Sequence, residues 1–541
     1  MSMPMTTLPA EPPRARPAGG AGALMVAAGI FLSRIAGFVR TRAMAHYLGN
    51  SDAADAFTYA LKLPNLLQNL FGEGVLSASF IPTYVKLLEE KRHDEARRVA
   101  GAVASLLFLA VSVAVLLGML AAPLIVQLFA AGYTGVKREV CIRLVRIVFP
   151  GSGLLVLSAW CLGVLNSHRR FFLSYVAPVL WNAAIIAALV LEGRSTHEGY
   201  PMATAAAIGA VVGSLLQLMF QLPVVLVLLR GLRVSLGRGS SHVRTVWTSF
   251  GPVVLGRGVV QIAGYVDAFI ASFLLTGAMA GLNYAQTLYL LPISLFGMAI
   301  SASELPEMAR ASGDARAIAA MLRDRLAISL RRMAFFVVPS AVAFLALGEV
   351  VVALVYRTGR FGASETRFVW TILAGFSTGL YAATQARLYS SAFYALRDVT
   401  TPFRIAIVRM LVGCSLGAAI AFGLPGLLGV DRRWGIVGLA LAGAVAAWTE
   451  MLLLRRGLAA RVGASVRLPG KSVAPLVVAA VLAAGGGHAT KVALTAQPLH
   501  PAVASALVLS AFGVIYLVAT RLLGVPEARA LTDRLRRRLN R

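Results

Sequence analysis

The feature that most limits what this chain can fold into is a series of long apolar stretches separated by short polar or basic breaks. A helix needs roughly 20 apolar residues to cross the hydrocarbon core of a bilayer. Such stretches are predicted at 22–48, 53–87, 97–129, 137–165, 171–192, 202–230, 244–275, 279–307, 333–356, 365–394, 402–424, 434–456, 472–490 and 501–522. In lipid only helices and closed barrels satisfy every backbone group, and stretches this long read as helices. The predicted fold class is an all-α polytopic membrane protein of about 14 transmembrane helices. Composition agrees: 58% of the 541 residues are apolar and 14% are charged, against roughly 25% charged in soluble domains. Mean hydropathy is +0.76.

A net charge of +28 would suit nucleic acid if a basic soluble domain carried it, and none does. The charges lie mainly in short loops, where they set topology. With an inner N-terminus, and with residues at helix ends counted with the adjoining loop, 33 Lys and Arg fall on the cytoplasmic side, 9 outside and 9 within helices. This asymmetry places both termini in the cytoplasm and supports an even helix count. Residues 1–21 lack a cleavage site after a short apolar core and read as a disordered cytoplasmic tail. Residues 523–541 read as a basic one. Residues 312–332 form an amphipathic segment expected along the cytoplasmic surface. Cys141, Cys161 and Cys414 are scattered, the seven histidines show no paired spacing, and no metal or cofactor is expected.

An internal repeat divides the chain. Ile35–Val39 (IAGFV) recurs as Ile262–Val266 (IAGYV), offset by 227 residues. Gly49 matches Gly277 and Leu63-Pro64 matches Leu291-Pro292 at an offset of 228, and Gly132 matches Gly359 at 227. Two pseudo-symmetric six-helix lobes follow, 22–231 and 242–457, with 472–522 as two appended helices. Parallel repeats suit a transporter that rocks about a site between its halves.

Ionisable groups at mid-membrane cost roughly 2.5–3.5 kcal/mol each even on a lenient scale, so they should face water or a partner. The first helix carries Arg34 and Arg40. The second carries Asp55, Lys62, Asn69 and Glu73, spaced as one polar stripe, with Asn65 beside it. Asp55 and Lys62 can pair with each other or with Arg40, or they can line a hydrated wall. Arg34 and Arg40 favour a functional role, and an excess of positive charge would attract an anion such as pyrophosphate. Pro64 and Gly72-Glu73-Gly74 interrupt the second helix, and Pro64, Gly72 and Gly74 form a candidate hinge. In the second lobe Arg257 is a candidate basic contact and Asp267 a candidate coupling-ion residue, although the two could also be a structural pair. Arg387 and Arg409 are further basic groups at membrane depth.

Several motifs resemble one family. SRIAGFVR (33–40), ADAFTYALKLPNLLQNLFGEG (54–74) and SASFIPTY (77–84) are similar to the start of the MviN/MurJ family of lipid II flippases. GVLNSHRRFF (163–172), APVLWN (177–182), ELPEMAR (304–310) and FYALRDVTTP (393–402) resemble later family signatures. The family belongs to the multidrug/oligosaccharidyl-lipid/polysaccharide exporter superfamily. The resemblance implies a bacterial inner-membrane protein that moves the undecaprenyl-pyrophosphate precursor of peptidoglycan from the cytoplasmic to the outer leaflet. It implies that Arg34, Arg40 and Asp55 occupy positions important for transport, that Glu73 is the acid of the second-helix hinge, that the last two helices form a groove for the polyprenyl tail, and that contact with cell-wall synthases is transient. Where the family usually has arginines this chain has Gln68, Asn69 and Thr287, so Arg257, Arg387 or Arg409 would substitute, or the substrate would differ.

The expected mechanism is alternating access, driven by membrane potential or an ion gradient because no Walker A motif is present. An exporter of another polyprenyl-linked oligosaccharide is the alternative. A membrane transferase would need clustered acids or histidines in a sizeable outer loop, and the chain offers none. No enzymatic activity is expected.

Overall fold

The computed structural model describes residues 20–230, five positions between 242 and 248, and residues 264–310, 315–429, 431–462 and 470–530. The expected tails at 1–19 and 531–541 lie outside the described residues, as does Arg257. Among the described residues the chain is helical, with no strand. Ten of the described helices are long and apolar enough to cross a membrane.

The first half contains α1 (Gly20–Leu48), α2 (Asp52–Phe71), α3 (Glu73–Glu89), α4 (His93–Leu120), α5 (Ala122–Phe129), α6 (Gly135–Ser167), α7 (Phe171–Glu192) and α8 (Gly199–Leu229). The second contains α9 (264–272), α10 (Ala278–Pro292), α11 (Ala299–Ala309), α12 (Ala315–Ala346), α13 (Gly348–Tyr356), α14 (Ala363–Ser377), α15 (Leu380–Ala395), α16 (Thr400–Leu428) and α17 (Gly435–Val462). Two more helices, α18 (Gly470–Leu494) and α19 (Pro501–Leu522), follow. The first group packs mainly within itself, as does the second. The α18–α19 pair rests on α12 and α13 of the second group.

Local chemistry explains where the long stretches break. The Ser51 hydroxyl accepts the Ala54 amide and starts α2. Gly72 ends α2 with extended backbone (φ −87°, ψ −151°), and a Cβ there would lie 2.1 Å from the Gln68 carbonyl oxygen. The break between α14 and α15 falls at Gly379, where a Cβ would lie 2.6 Å from the Ala444 backbone. Between α10 and α11 the helix widens into a π segment, Ile293–Met298, directly after Pro292, whose ring removes a backbone donor.

One expectation is revised. Residues 315–332 are not a separate surface segment; they are the first half of α12, which runs unbroken to Ala346. The positive charges of this stretch are spent partly on neighbours: Arg325 reaches Glu304 and Glu307, and Arg331 reaches Glu527.

Candidate functional site

The two groups of helices are fastened together at one end. Gly49, in the turn after α1, accepts a hydrogen bond from the Tyr284 hydroxyl at 2.9 Å. The Asp55 carboxylate accepts the Gly277 and Ala280 amides at 2.8 Å each, so an acid of α2 caps α10 of the other group. A carboxylate at a helix N-terminus meets unsatisfied amides and the positive end of the dipole. Lys137, at the start of α6, stands 2.7 Å from both Asp52 and Asp55. The Asp55 side chain is 1% exposed.

The α13–α14 loop closes the same end. The Arg360 amide donates to the His46 carbonyl at 2.9 Å, and its guanidinium donates to the His197 carbonyl at 2.7 Å. His46 Nδ1 lies 2.8 Å from the Thr358 hydroxyl. Gly359 has φ +53°, and a Cβ there would fall 2.5 Å from the His46 carbonyl oxygen. Its repeat mate Gly132 approaches Ser272 as closely, at 2.2 Å for a built Cβ. Thus 359 meets 46 and 132 meets 272: the internal repeat reappears as a reciprocal pair of close approaches. We call this whole region the latch.

Asp55 therefore belongs to the latch, paired with Lys137 rather than with Lys62 or Arg40 as read from spacing. The other stripe residues lie further along α2. Lys62 is half-buried; its carbonyl accepts the Tyr265 hydroxyl at 3.1 Å, and its Nζ stands 6.0 Å from the Tyr265 ring centre. Asn65, Gln68 and Asn69 are half-buried on α2. Pro64 sits within α2 without breaking it, the break falls at Gly72, and Glu73 and Gly74 begin α3.

Arg34 and Arg40 do not share a face. Six residues at 100° per residue separate them by about 120°. Thr41, Ala45 and Leu48, on the face of Arg34, are buried near the latch, whereas Arg34 is exposed. Arg40 faces α7, with its guanidinium 4.8 Å from the Trp181 ring centre. Trp181 is itself fixed by donating Nε1–H to the Ala210 carbonyl at 3.0 Å. The buried Arg40 Nε and the neighbouring Asn182 Oδ1 have no hydrogen-bond partner among the described residues. Sequence reasoning named Arg40 but missed Trp181, because a tryptophan in an apolar helix carries no signal of what it faces.

In the second group Asp267 lines a pocket of about 290 Å³ with Arg409, Met410 and Cys414. Arg409 is engaged by Glu450 at 2.8 Å. Arg387 on α15 is exposed. Among the described residues no cluster of His, Cys, Asp and Glu could hold a metal ion.

This arrangement, with two linked halves, buried charges between them and an appended helix pair, can be set beside known proteins. The sequence profile of the lipid II flippase MurJ family matches residues 44–500. The chain belongs to the MurJ family. A probable lipid II flippase MurJ of Rhizobium tropici is 33% identical over 439 residues, 79% of each chain. The lipid II flippase MurJ of Burkholderia cenocepacia is 31% identical over 510 residues, 91% of this chain and 95% of that one. Among solved structures, a lipid II flippase MurJ in an inward closed conformation superposes with a TM-score of 0.75 at 24% identity, covering 92% of this chain and 98% of that one. An inward-facing MATE-family multidrug transporter of the MOP superfamily reaches 0.62 at 14% identity, covering 81% and 98%. The MurJ-family fold is thus shared over nearly the whole chain.

Proposed function

We propose that this chain is a lipid II flippase, moving undecaprenyl-pyrophosphate-linked peptidoglycan precursor across the bacterial inner membrane by alternating access. Membership of the MurJ family over residues 44–500 carries the reading. Both termini face the cytoplasm, which puts the latch on the outer side, and the described conformer is the one closed outside. Its activity is transport rather than catalysis.

The chemistry of the helices supports a path for the headgroup. Arg34 is exposed on α1, and Arg40 presents a ring-backed guanidinium whose Nε has no partner among the described residues. A guanidinium grips phosphate oxygens through paired donors. Arg387 supplies the charge that Thr287 lacks, since Arg409 is already engaged by Glu450. Lys62, Asn65 and Asn69 continue the polar wall of α2. Asp55 acts on the substrate indirectly, by holding the halves together outside. Asp267, lining a pocket with Arg409, is the residue through which an ion gradient would act, and Gly72 is the hinge of α2–α3. Cell-wall synthases on the outer side would receive the product.

Complementation tests the headgroup path. Cells depleted of the native flippase should not grow on Arg40→Ala or Arg34→Ala and should grow poorly on Arg387→Ala. Full growth on all three would remove these residues from the path.

A further inference from the structure

Away from the interface between the halves, α13, the start of α14, the end of α18 and the start of α19 enclose a second pocket of about 300 Å³. Its inner wall is apolar, built by Val350, Ala353 and Val508. Its mouth carries Glu349, Lys491 and Arg357. Lys491 pairs with Glu349 at 2.6 Å, tying α18 to α13. That leaves Arg357, which is exposed and has no side-chain partner among the described residues. Ser505 lines the same pocket; it is 7% exposed, and its hydroxyl has no partner among the described residues. One surplus positive charge and one hydroxyl without a partner among the described residues thus line a space large enough for a phosphate ester. Val492 (61% exposed) and Val503 (49% exposed), each next in sequence to a lining residue, are exposed apolar side chains of α18 and α19.

We propose that this pocket binds the phosphodiester headgroup of an anionic membrane lipid, with Arg357 and Ser505 donating to phosphate oxygens and the acyl chains lying against the rim of α18 and α19. The site is separate from the headgroup path and requires no transport. It also bears on the latch. Arg357 and Ala363, both lining the pocket, bracket the short segment that carries Thr358 and Arg360 into the latch. A phosphate held by Arg357 restrains that segment from its outer side and favours the latched conformer.

The test uses the full-length protein in detergent, with dioleoylphosphatidylglycerol, dioleoylphosphatidylcholine or glycerol 3-phosphate added and bound species counted by native mass spectrometry. Phosphatidylglycerol should bind in preference to phosphatidylcholine. Arg357→Gln should weaken it about tenfold, the loss expected for one charge-assisted hydrogen bond. Glu349→Gln should strengthen it by freeing Lys491, and opposite shifts from two neighbouring substitutions cannot both come from misfolding. Binding of phosphatidylglycerol alone identifies a lipid site; additional binding of glycerol 3-phosphate identifies the phosphate as the recognised group, and either supports the proposal. Phosphatidylglycerol should also slow amide exchange across 357–362 in the native chain and not in Arg357→Gln. Equal binding of both lipids, with no effect of either substitution, would overturn the site. Binding that leaves exchange unchanged would overturn the link to the latch. Neither readout involves lipid II, so failure here leaves the flippase reading standing.

Discussion

Lys137 and Asp55 stand 2.7 Å apart, and the carboxylate of that pair also caps a helix from the other half of the molecule. One side chain thus answers a cation from α6 and two amides from the start of α10. Breaking a buried ion pair on one side leaves an uncompensated charge and typically costs about 3–5 kcal/mol. The Asp55→Ala variant should lose the latched conformer, read as a longer spin-label distance between the α1–α2 turn and the α13–α14 loop. Asp55→Asn, which keeps one acceptor, should fall between. If Asp55→Ala leaves the distance unchanged, the pair is not what holds the halves together.

Trp181 gives Arg40 its orientation. A guanidinium over an indole gains about 0.5–2 kcal/mol, depending on desolvation. Trp181→Leu should lower lipid II transport roughly three- to tenfold without lowering thermal stability as much as a core cavity would, and Trp181→Phe should recover part of it. In an Arg40→Ala background, replacing Trp181 should add little further loss, since the two act as a unit. Independent losses would show that Trp181 works through something other than Arg40.

The latch glycines make a reciprocal prediction. Gly359→Ala forces an L side chain into φ +53° and against His46, and Gly132→Ala drives a methyl into the Ser272 backbone. Each should destabilise the latched state by about 1 kcal/mol or more, Gly359 partly through backbone strain. Faster amide exchange at 46–50 for Gly359→Ala, and at 270–276 for Gly132→Ala, is the expected readout. Gly423→Ala, where a Cβ would meet nothing within 4 Å, is the control.

On the opposite side of the molecule, Asp398 caps α16. Its carboxylate accepts the Thr401 hydroxyl at 2.6 Å and the Thr400 and Thr401 amides, and it meets Arg461 at 2.6 Å. The Thr401 hydroxyl and amide, then Arg461, hold its carboxyl below the usual range. A depressed acid stabilises the fold fully above the unfolded-state value of about 4 and loses that contribution as pH falls through the folded-state value. The difference in Tm between the native chain and Asp398→Ala should therefore be constant above about pH 5 and shrink below about pH 4. A difference that persists unchanged into acid would mean the charge plays no part.

Much of this was legible in the chain itself, because membrane helices are long and their charges few. The stretch predicted at 501–522 coincides with α19, and that predicted at 171–192 with α7. The matched glycines of the repeat, Gly49 with Gly277 and Gly132 with Gly359, proved to be latch positions. The first pair shares positive φ, at +63° and +82°. What spacing could not supply was partnership across the halves. Asp55 and Lys62 sit on one face of α2, yet Asp55 is answered by Lys137, 82 residues away. Arg34 and Arg40 are close in sequence but turned apart by the helix. Polar stripes show which face wants company; only packing shows whose.

The most direct test of the account is to deplete the protein in its own cells and measure lipid II exposed on the outer leaflet, supplying either the native chain or Arg40→Ala. Depletion should cause lipid II to fall outside and accumulate inside. The native chain should restore exposure and Arg40→Ala should not. Outer-leaflet lipid II that is unchanged by depletion would contradict the assignment.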